Sequence, residues 1–313
     1  YVSHYERTDN AILCGYMRWI RTHWFLIGIF AVGAMVRLIN LNWDAGGRLH
    51  PDEALIVNGA LSLRIPTQWN PFFHDYNGFS VYLLKVIAPF VSSPETLTII
   101  GRFISALLST VSVLLIYFLG KKWWNERVGT YAAILLATTP LFIQLAHFYT
   151  TESIMVLLLL TMLLVAPSPM AMAVPMGLLL ATKNTAYLIL PIPTALLATA
   201  TFPRLNRTAL SIALFFLLGS IVFFLGSPYS FLDLPGYLER SRYLTGVVSG
   251  KLLMDWTMQF QDTTGWFWIP SLAYASGLTP FLGFIGIVAV LTARAKRNRS
   301  RVIISLWSIG FLI

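Results

Sequence analysis

Charge is scarce in this 313-residue chain: 11% of its residues are Asp, Glu, Lys or Arg, against 57% hydrophobic ones. A soluble domain carries about 25% charged residues, so an ordinary aqueous surface is excluded. Cysteine is nearly absent. Cys14 is the single thiol, which excludes an internal disulfide and any cysteine-rich metal site. Tandem repeats and low-complexity tracts are missing, and no inverted-repeat pair stands out, which argues against a transporter built from duplicated halves. No cleavable signal peptide is visible, and the first apolar segment is expected to stay as an anchor. The chain opens at Tyr1 and closes at Ile313 inside an apolar run, so both ends are expected to be cut and the C-terminus to be truncated.

What is present is a succession of apolar stretches near or above 18 residues, with mean hydropathy +0.70 over the chain. Such stretches read as membrane-spanning helices. The expected fold class is all-α: a polytopic helical membrane protein with about nine transmembrane helices and outer juxtamembrane helices. Residues 1–23, with Arg7, Arg18 and Arg21, read as a cytoplasmic segment. Residues 24–293 form the transmembrane module, its first span 24–40 flanked by Trp19, Trp24 and Trp43 as interfacial anchors. Two polar stretches, 41–97 and 227–271, read as outer loops, the first with short helices along the membrane. Further spans are expected at 97–119, 129–146, 153–166, 170–182, 187–200, 209–226 and 272–293. A basic cytoplasmic connector, 294–301, then leads to the start of another helix at 302–313.

The net charge of +9 does not point to nucleic acid, because the cations sit mainly in short connectors between apolar runs. The connectors 121–127, 204–207 and 294–301 all fall on the side of the N-terminus, which makes that side cytoplasmic. Most carboxylates, among them Asp44, Asp52, Glu53, Glu152 and Asp233, fall on the other side. Acidic residues do little to set orientation, so this asymmetry points to a site facing outward.

The sharpest local feature is His50-Pro-Asp-Glu53 in the first outer loop. Adjacent carboxylates beside a membrane resist joint ionisation, so one is suited to act as a base toward a hydroxyl. The same tetrapeptide also reads as a solvated acidic pair opening a helix after Pro51. Arg48, Arg64, His74 and Lys85 lie in the same loop, and Arg102 opens the next span. Cations beside a membrane-level carboxylate suit a lipid phosphate, although Lys85 equally fits interfacial snorkelling. His74-Asp75 reads either as a ligand-orienting pair or as a capping turn. Lys183 lies between two apolar segments, at or near bilayer depth. A charge at a helix centre costs roughly 2.5–3.5 kcal/mol, and such residues usually face a polar cavity or a partner. Glu152 would share the outer face with Asp52 and Lys183, and with His147 it is a candidate metal-ligand pair.

Taken in order, these pieces resemble the GT-C superfamily of membrane glycosyltransferases. They are closest to the branch holding protein O-mannosyltransferases, glycosyltransferase family 39 and the aminoarabinose-transferase-like enzymes. The resemblance rests on His50-Pro-Asp-Glu53, Asn70-Pro-Phe-Phe73, Tyr82-Leu-Leu-Lys85 and Gly101-Arg-Phe-Ile-Ser105 through Tyr117-Phe-Leu-Gly120. It continues with His147 and Glu152-Ser153, Ala181-Thr-Lys-Asn-Thr185 and Ser227-Pro-Tyr-Ser-Phe-Leu-Asp233. It implies a monosaccharide transferred from a polyprenyl-phosphate donor to an acceptor hydroxyl of a protein, lipid or glycan, with inversion. Asp52 is then the catalytic base and Glu53 its acidic neighbour. Lys183, Lys85, Arg48 and His74 become donor-phosphate contacts, Glu152 the acidic residue of the cavity, and a divalent ion a candidate cofactor. The expected setting is a bacterial plasma membrane with the site facing out. Where relatives carry a Lys-Pro-Pro or His-Pro-Pro turn, this chain has His74-Asp75-Tyr76-Asn77-Gly78, which leaves the phosphate contacts of that loop open. A catalytically inactive scaffold subunit of a larger membrane complex and a lipid or glycolipid transporter are the competing readings.

Overall fold

Every regular element in the computed structural model, which describes residues 24–72, 74–91, 93–254 and 277, is helical. Helix α1 (Trp24–Leu38) leads into a tight turn region and then α2 (Pro51–Ser62). A loop carries the chain to α3 (Phe79–Lys85) and a short 3-10 turn. The membrane module continues with α4 (Pro94–Trp123), α5 (Glu126–Thr138), α6 (Pro140–Ala146), α7 (Thr151–Val165) and α8 (Pro169–Thr182). A 3-10 segment (Asn184–Ile189) then precedes α9 (Pro191–Thr201) and α10 (Leu205–Gly226). Beyond them lie the single turn α11 (Tyr229–Leu232) and α12 (Leu234–Val248).

Among the described residues, α4 and α10 are long and apolar enough to cross a membrane alone. The 30 residues of α4 rise about 45 Å, more than a ~30 Å hydrocarbon core. Its ends are written in the sequence: Ser93 caps Thr96 N at 3.2 Å, Pro94 and Glu95 open the first turn, and Lys121 and Lys122 close the last. Helix α10 is apolar all round, yet only 17% of its most apolar stretch is buried, so its outer face is a lipid face. These helices make the chain an integral membrane protein. Helices α1, α7 and α8 are shorter apolar elements.

Two of the expected spans differ from the observed helices. The stretch 129–146 is broken: α5 and α6 meet at 59° across Pro140. Pro140 has no N–H for the Leu136 carbonyl, and Arg37 of α1 supplies the donor from outside. Its guanidinium, fully buried, reaches Leu136 O at 2.7 Å, Ala137 O at 3.0 Å and Ser109 Oγ at 2.9 Å. The stretch 187–200 is likewise two elements, separated where Pro191 begins α9. The expected features at 1–23, 294–301 and 302–313 lie outside the described residues, as do 255–271 of the expected second outer loop and, apart from residue 277, the expected span 272–293.

In lipid, helices associate by close packing rather than by burying apolar surface from water. Here glycine sets the distance. A Cβ on Gly177 of α8 would stand 2.5 Å from Gly219 O of α10, and one on Gly129 of α5 would stand 2.4 Å from Tyr117 O of α4. The main core, with Met162, Met172, Met176, Leu179 and Phe215, lies between α7, α8, α9 and α10. A second core sits at the head of α4. Ile56, Val57 and Ala60 of α2, with Leu63 just past its end, pack on Val81, Leu84, Leu97 and Tyr149. This cluster docks α2 and α3 on the membrane helices, and it positions the candidate site.

Candidate functional site

The site begins with how α2 starts. His50 is its N-cap, with Nδ1 accepting from Asp52 N at 3.2 Å, and Pro51 takes the first helical position. Asp52 and Glu53 then fill the first turn, where the helix dipole favours negative charge. Successive helical side chains point about 100° apart, so the two carboxylates diverge. Glu53 turns inward and is fully buried, whereas Asp52 stays partly exposed.

Glu53 meets Arg102 of α4. Arg102 Nε and Nη2 donate to its two oxygens at 2.9 and 2.6 Å, and Tyr149 N donates to Oε1 at 2.8 Å. The other side of the guanidinium takes Asp44, at 2.6 and 2.8 Å, and Leu41 O at 3.0 Å. All five N–H groups of Arg102 are thereby satisfied, and the Trp43 ring lies 5.3 Å from the guanidinium carbon. The hydrogen bond from Arg102 holds the Asp44 carboxyl far below the usual carboxylate range. This cluster ties the turn after α1, the start of α2 and the residues before α7 to one point on α4. Two sequence expectations change here. Arg102 is matched by carboxylates instead of waiting for a phosphate, and Glu53 holds α2 in place instead of sharing the chemistry of Asp52.

Asp52 faces a different group of residues. The Tyr76 phenol lies beside its carboxylate. Burial first, and then the carboxylates of Asp52, Glu152 and Asp75, push the Tyr76 phenol well up, so it remains a proton-bearing donor. The ring of Tyr76 in turn lies 5.0 Å from Lys183 Nζ, and that amine donates to Glu152 Oε1 at 2.7 Å. Both ends of this ion pair suit their helix termini. Glu152 is in the first turn of α7, and Lys183 caps the C-terminus of α8 in extended backbone, φ −149° and ψ 137°. The two side chains are 25% and 28% exposed, so the pair is open to a ligand. Asp52, Tyr76, Lys183 and Glu152 thus share one polar surface at the N-terminal ends of α2 and α7 and the C-terminal end of α8.

The loop bearing Tyr76 is pinned on both sides. Asp75 pairs with Arg240 of α12, whose Nε lies 2.9 Å from Oδ1. Asn77 donates to Leu180 O of α8 and accepts from Ser230 of α11 at 3.1 Å. Gly78 N donates to Ser227 Oγ at 2.7 Å. His74 contacts Asp233 Oδ2 at 2.9 Å, and Asn70 donates to the same oxygen at 3.0 Å. These bonds depress the Asp233 carboxyl, Asn70 contributing most and His74 next.

The remaining candidates are engaged elsewhere. Lys85 donates to Leu63 O, closing α3 against the end of α2. Arg48 donates to Asn58 Oδ1 at 2.7 Å along the exposed side of α2. Of the four cations expected at a phosphate, Lys183 alone shares the surface with Asp52. His147 directs Nδ1 at Ile143 O and Nε2 at Ile39 O, at 2.8 and 3.1 Å, so it does not join Glu152 as a ligand. Among the described residues no group of three or more His, Cys, Asp or Glu could hold a metal ion, and the donor set for a divalent ion is not assembled there. Sequence reasoning missed Tyr76 and Asn77; the one available signal was a polar and aromatic turn within an outer loop.

Comparison with known proteins follows from this geometry. Residues 82–230 match the family model described as dolichyl-phosphate-mannose-protein mannosyltransferase, just under half of the chain. No curated protein matches it. Among solved structures, the chain is similar to the archaeal oligosaccharyltransferase AglB from Archaeoglobus fulgidus, solved with an inhibitory peptide and a dolichol-phosphate. The TM-score is 0.63 at 16% identity, over 94% of this chain and 48% of that one. It is also similar to ArnT from Cupriavidus metallidurans in the apo state, with TM-score 0.56 and 18% identity, over 93% of this chain and 54% of that one. Both are GT-C superfamily membrane glycosyltransferases, and the chain has their fold over about half their length.

Proposed function

We propose that this GT-C-fold chain transfers a monosaccharide from a polyprenyl-phosphate donor to an acceptor hydroxyl, at the outer face of a bacterial plasma membrane. The observation that carries the reading is the single surface joining Asp52, through Tyr76, to Lys183 and Glu152. A lipid-phosphate sugar has two ends to be recognised, an anionic phosphate and an anomeric carbon approached by a nucleophile. A lysine and a separate, partly exposed carboxylate provide one group for each.

In the proposed reaction the acceptor oxygen attacks the anomeric carbon from the face opposite the phosphate. Asp52 takes the hydroxyl proton as the new C–O bond forms. The bond between the anomeric carbon and the phosphate oxygen breaks, and its electron pair leaves with the phosphate, so the anomeric centre inverts. The departing phosphate is already a stable anion and needs no general acid. Lys183 has three N–H donors, of which Glu152 takes one. The others are free to meet phosphate oxygens, where a charge-assisted hydrogen bond near low dielectric is strongest. Glu152 keeps the ammonium at the site between turnovers. The dolichol-phosphate and peptide bound by AglB support a lipid-phosphate donor and a protein acceptor by likeness of fold.

The test is transfer by the full chain in proteoliposomes, with a radiolabelled polyprenyl-phosphate sugar and a hydroxyl-bearing acceptor. Wild-type protein is expected to label the acceptor and Asp52→Asn to lose transfer while still binding donor. Undiminished transfer by Asp52→Asn would remove the assigned base. Lipid movement without labelling, unchanged by the substitution, would instead favour the transporter, and neither activity would favour the scaffold.

A further inference from the structure

We infer that Tyr76 is the positioning residue of this site, its hydroxyl orienting the Asp52 carboxylate while its ring face holds the Lys183 amine in reach of the donor phosphate. The inference rests on the proposed transfer reaction and adds to it a link between its two halves.

Three observations support it. First, the two contacts use different parts of one rigid side chain. The hydroxyl lies beside Asp52, and the ring lies 5.0 Å from Lys183 Nζ, inside the ~6 Å range of a cation–π contact. Second, the backbone that carries the ring is fixed on either side. Asp75 is tied to Arg240, and Asn77 to Leu180 O and Ser230. A phenol held this way keeps its direction when a ligand enters. Third, each contact meets a need of the proposed reaction. A hydroxyl turned to one oxygen of Asp52 leaves the other to receive the acceptor proton. Lys183 already faces Glu152 at 2.7 Å, and a phosphate must compete with that carboxylate for the ammonium. The ring provides a second attraction on the Asp52 side, so the amine can turn toward phosphate without leaving the site.

Because the two tasks use different atoms, substitution separates them. Tyr76→Phe removes the hydroxyl and keeps the ring; Tyr76→Leu removes both. With polyprenyl-phosphate mannose as the donor probe, Tyr76→Phe is expected to lower kcat about tenfold and leave the donor KM within about twofold. Tyr76→Leu is expected to lower kcat at least as much and to raise the donor KM about five- to thirtyfold. If the hydroxyl acts through Asp52, then Asp52→Asn and the double variant Asp52→Asn/Tyr76→Phe should share one residual rate. A purely structural tyrosine would not give that equality. Wild-type kcat in Tyr76→Phe, or a further rate loss in the double variant, would overturn the inference while leaving the transfer reaction standing. Full turnover by Asp52→Asn alone would overturn the transfer reading itself, and this inference with it.

Discussion

Asp52 and Glu53 are neighbours in sequence and opposites in environment. Glu53 lies in a closed cluster: with Asp44 and Leu41 O it leaves no donor of the Arg102 guanidinium unmatched, and it accepts from Tyr149 N. Asp52 lies on an open surface, beside a tyrosine that also faces a Lys183–Glu152 pair about a quarter exposed. The closed cluster carries architecture: it gathers three segments onto α4 and is sealed from ligand. The open one has unused donor and acceptor capacity, which chemistry requires. Two carboxylates side by side therefore need not act together; one helical residue of offset separates a structural role from a reactive one.

That contrast can be broken by mutation. The largest effect is expected at Asp52. Asp52→Asn should cut kcat by about 10²–10⁴-fold, the usual contribution of a general base, with no change in the unfolding midpoint in detergent. Removing the cation of the closed cluster should do the reverse. Arg102→Met leaves two buried carboxylates uncompensated and should cost about 3–5 kcal/mol of stability, read by denaturant or thermal unfolding. The same variant has a pH signature. Asp44 is ionised in the fold far below its unfolded value of ~3.9, because of Arg102. The folded state thus binds that proton less readily, and the pair's stabilisation is complete above about pH 4 and lost only as pH falls through the depressed value. Without Arg102 this protection vanishes, so the acid-unfolding midpoint should move to higher pH.

A smaller effect is expected for the donor site. Lys183→Met should raise the donor KM about ten- to hundredfold, the scale of a hydrogen bond to a charged group, with modest loss of stability. The smallest is at the link between the loop of Asp75 and α12. Asp75 and Arg240 are partly exposed, and Arg240→Gln should change stability by no more than about 1 kcal/mol. A large loss there would show that the two segments depend on each other more than their surface pairing suggests.

Much of the architecture was legible because membrane helices are written as long apolar runs. Hydropathy located α4 and α10 but cut them short, at 97–119 and 209–226 against Pro94–Trp123 and Leu205–Gly226, and one misplaced charge marked the break at Lys183. The bend at Pro140 was less so. A proline marks a possible break, but whether the freed carbonyl of Leu136 can be satisfied depends on Arg37, 99 residues away. The site was half legible for the same reason. His50-Pro-Asp-Glu53 and Lys183 showed themselves by composition and position. Which carboxylate of the pair stays open depends on Arg102, 49 residues from Glu53, and no local pattern contains that information. Lys85, Arg48 and His74 were expected to join Lys183 at a donor phosphate. A backbone carbonyl, an asparagine and Asp233 engage them in turn, and such partners are visible only in three dimensions.

The account stands on Asp52 and Lys183 serving one ligand in different ways. Binding of a polyprenyl monophosphate to the full chain in nanodiscs, compared between wild type, Asp52→Asn and Lys183→Met, tests this without any acceptor. The predicted result is wild-type affinity for Asp52→Asn and at least tenfold weaker binding for Lys183→Met. Equal, undiminished binding by Lys183→Met would contradict it.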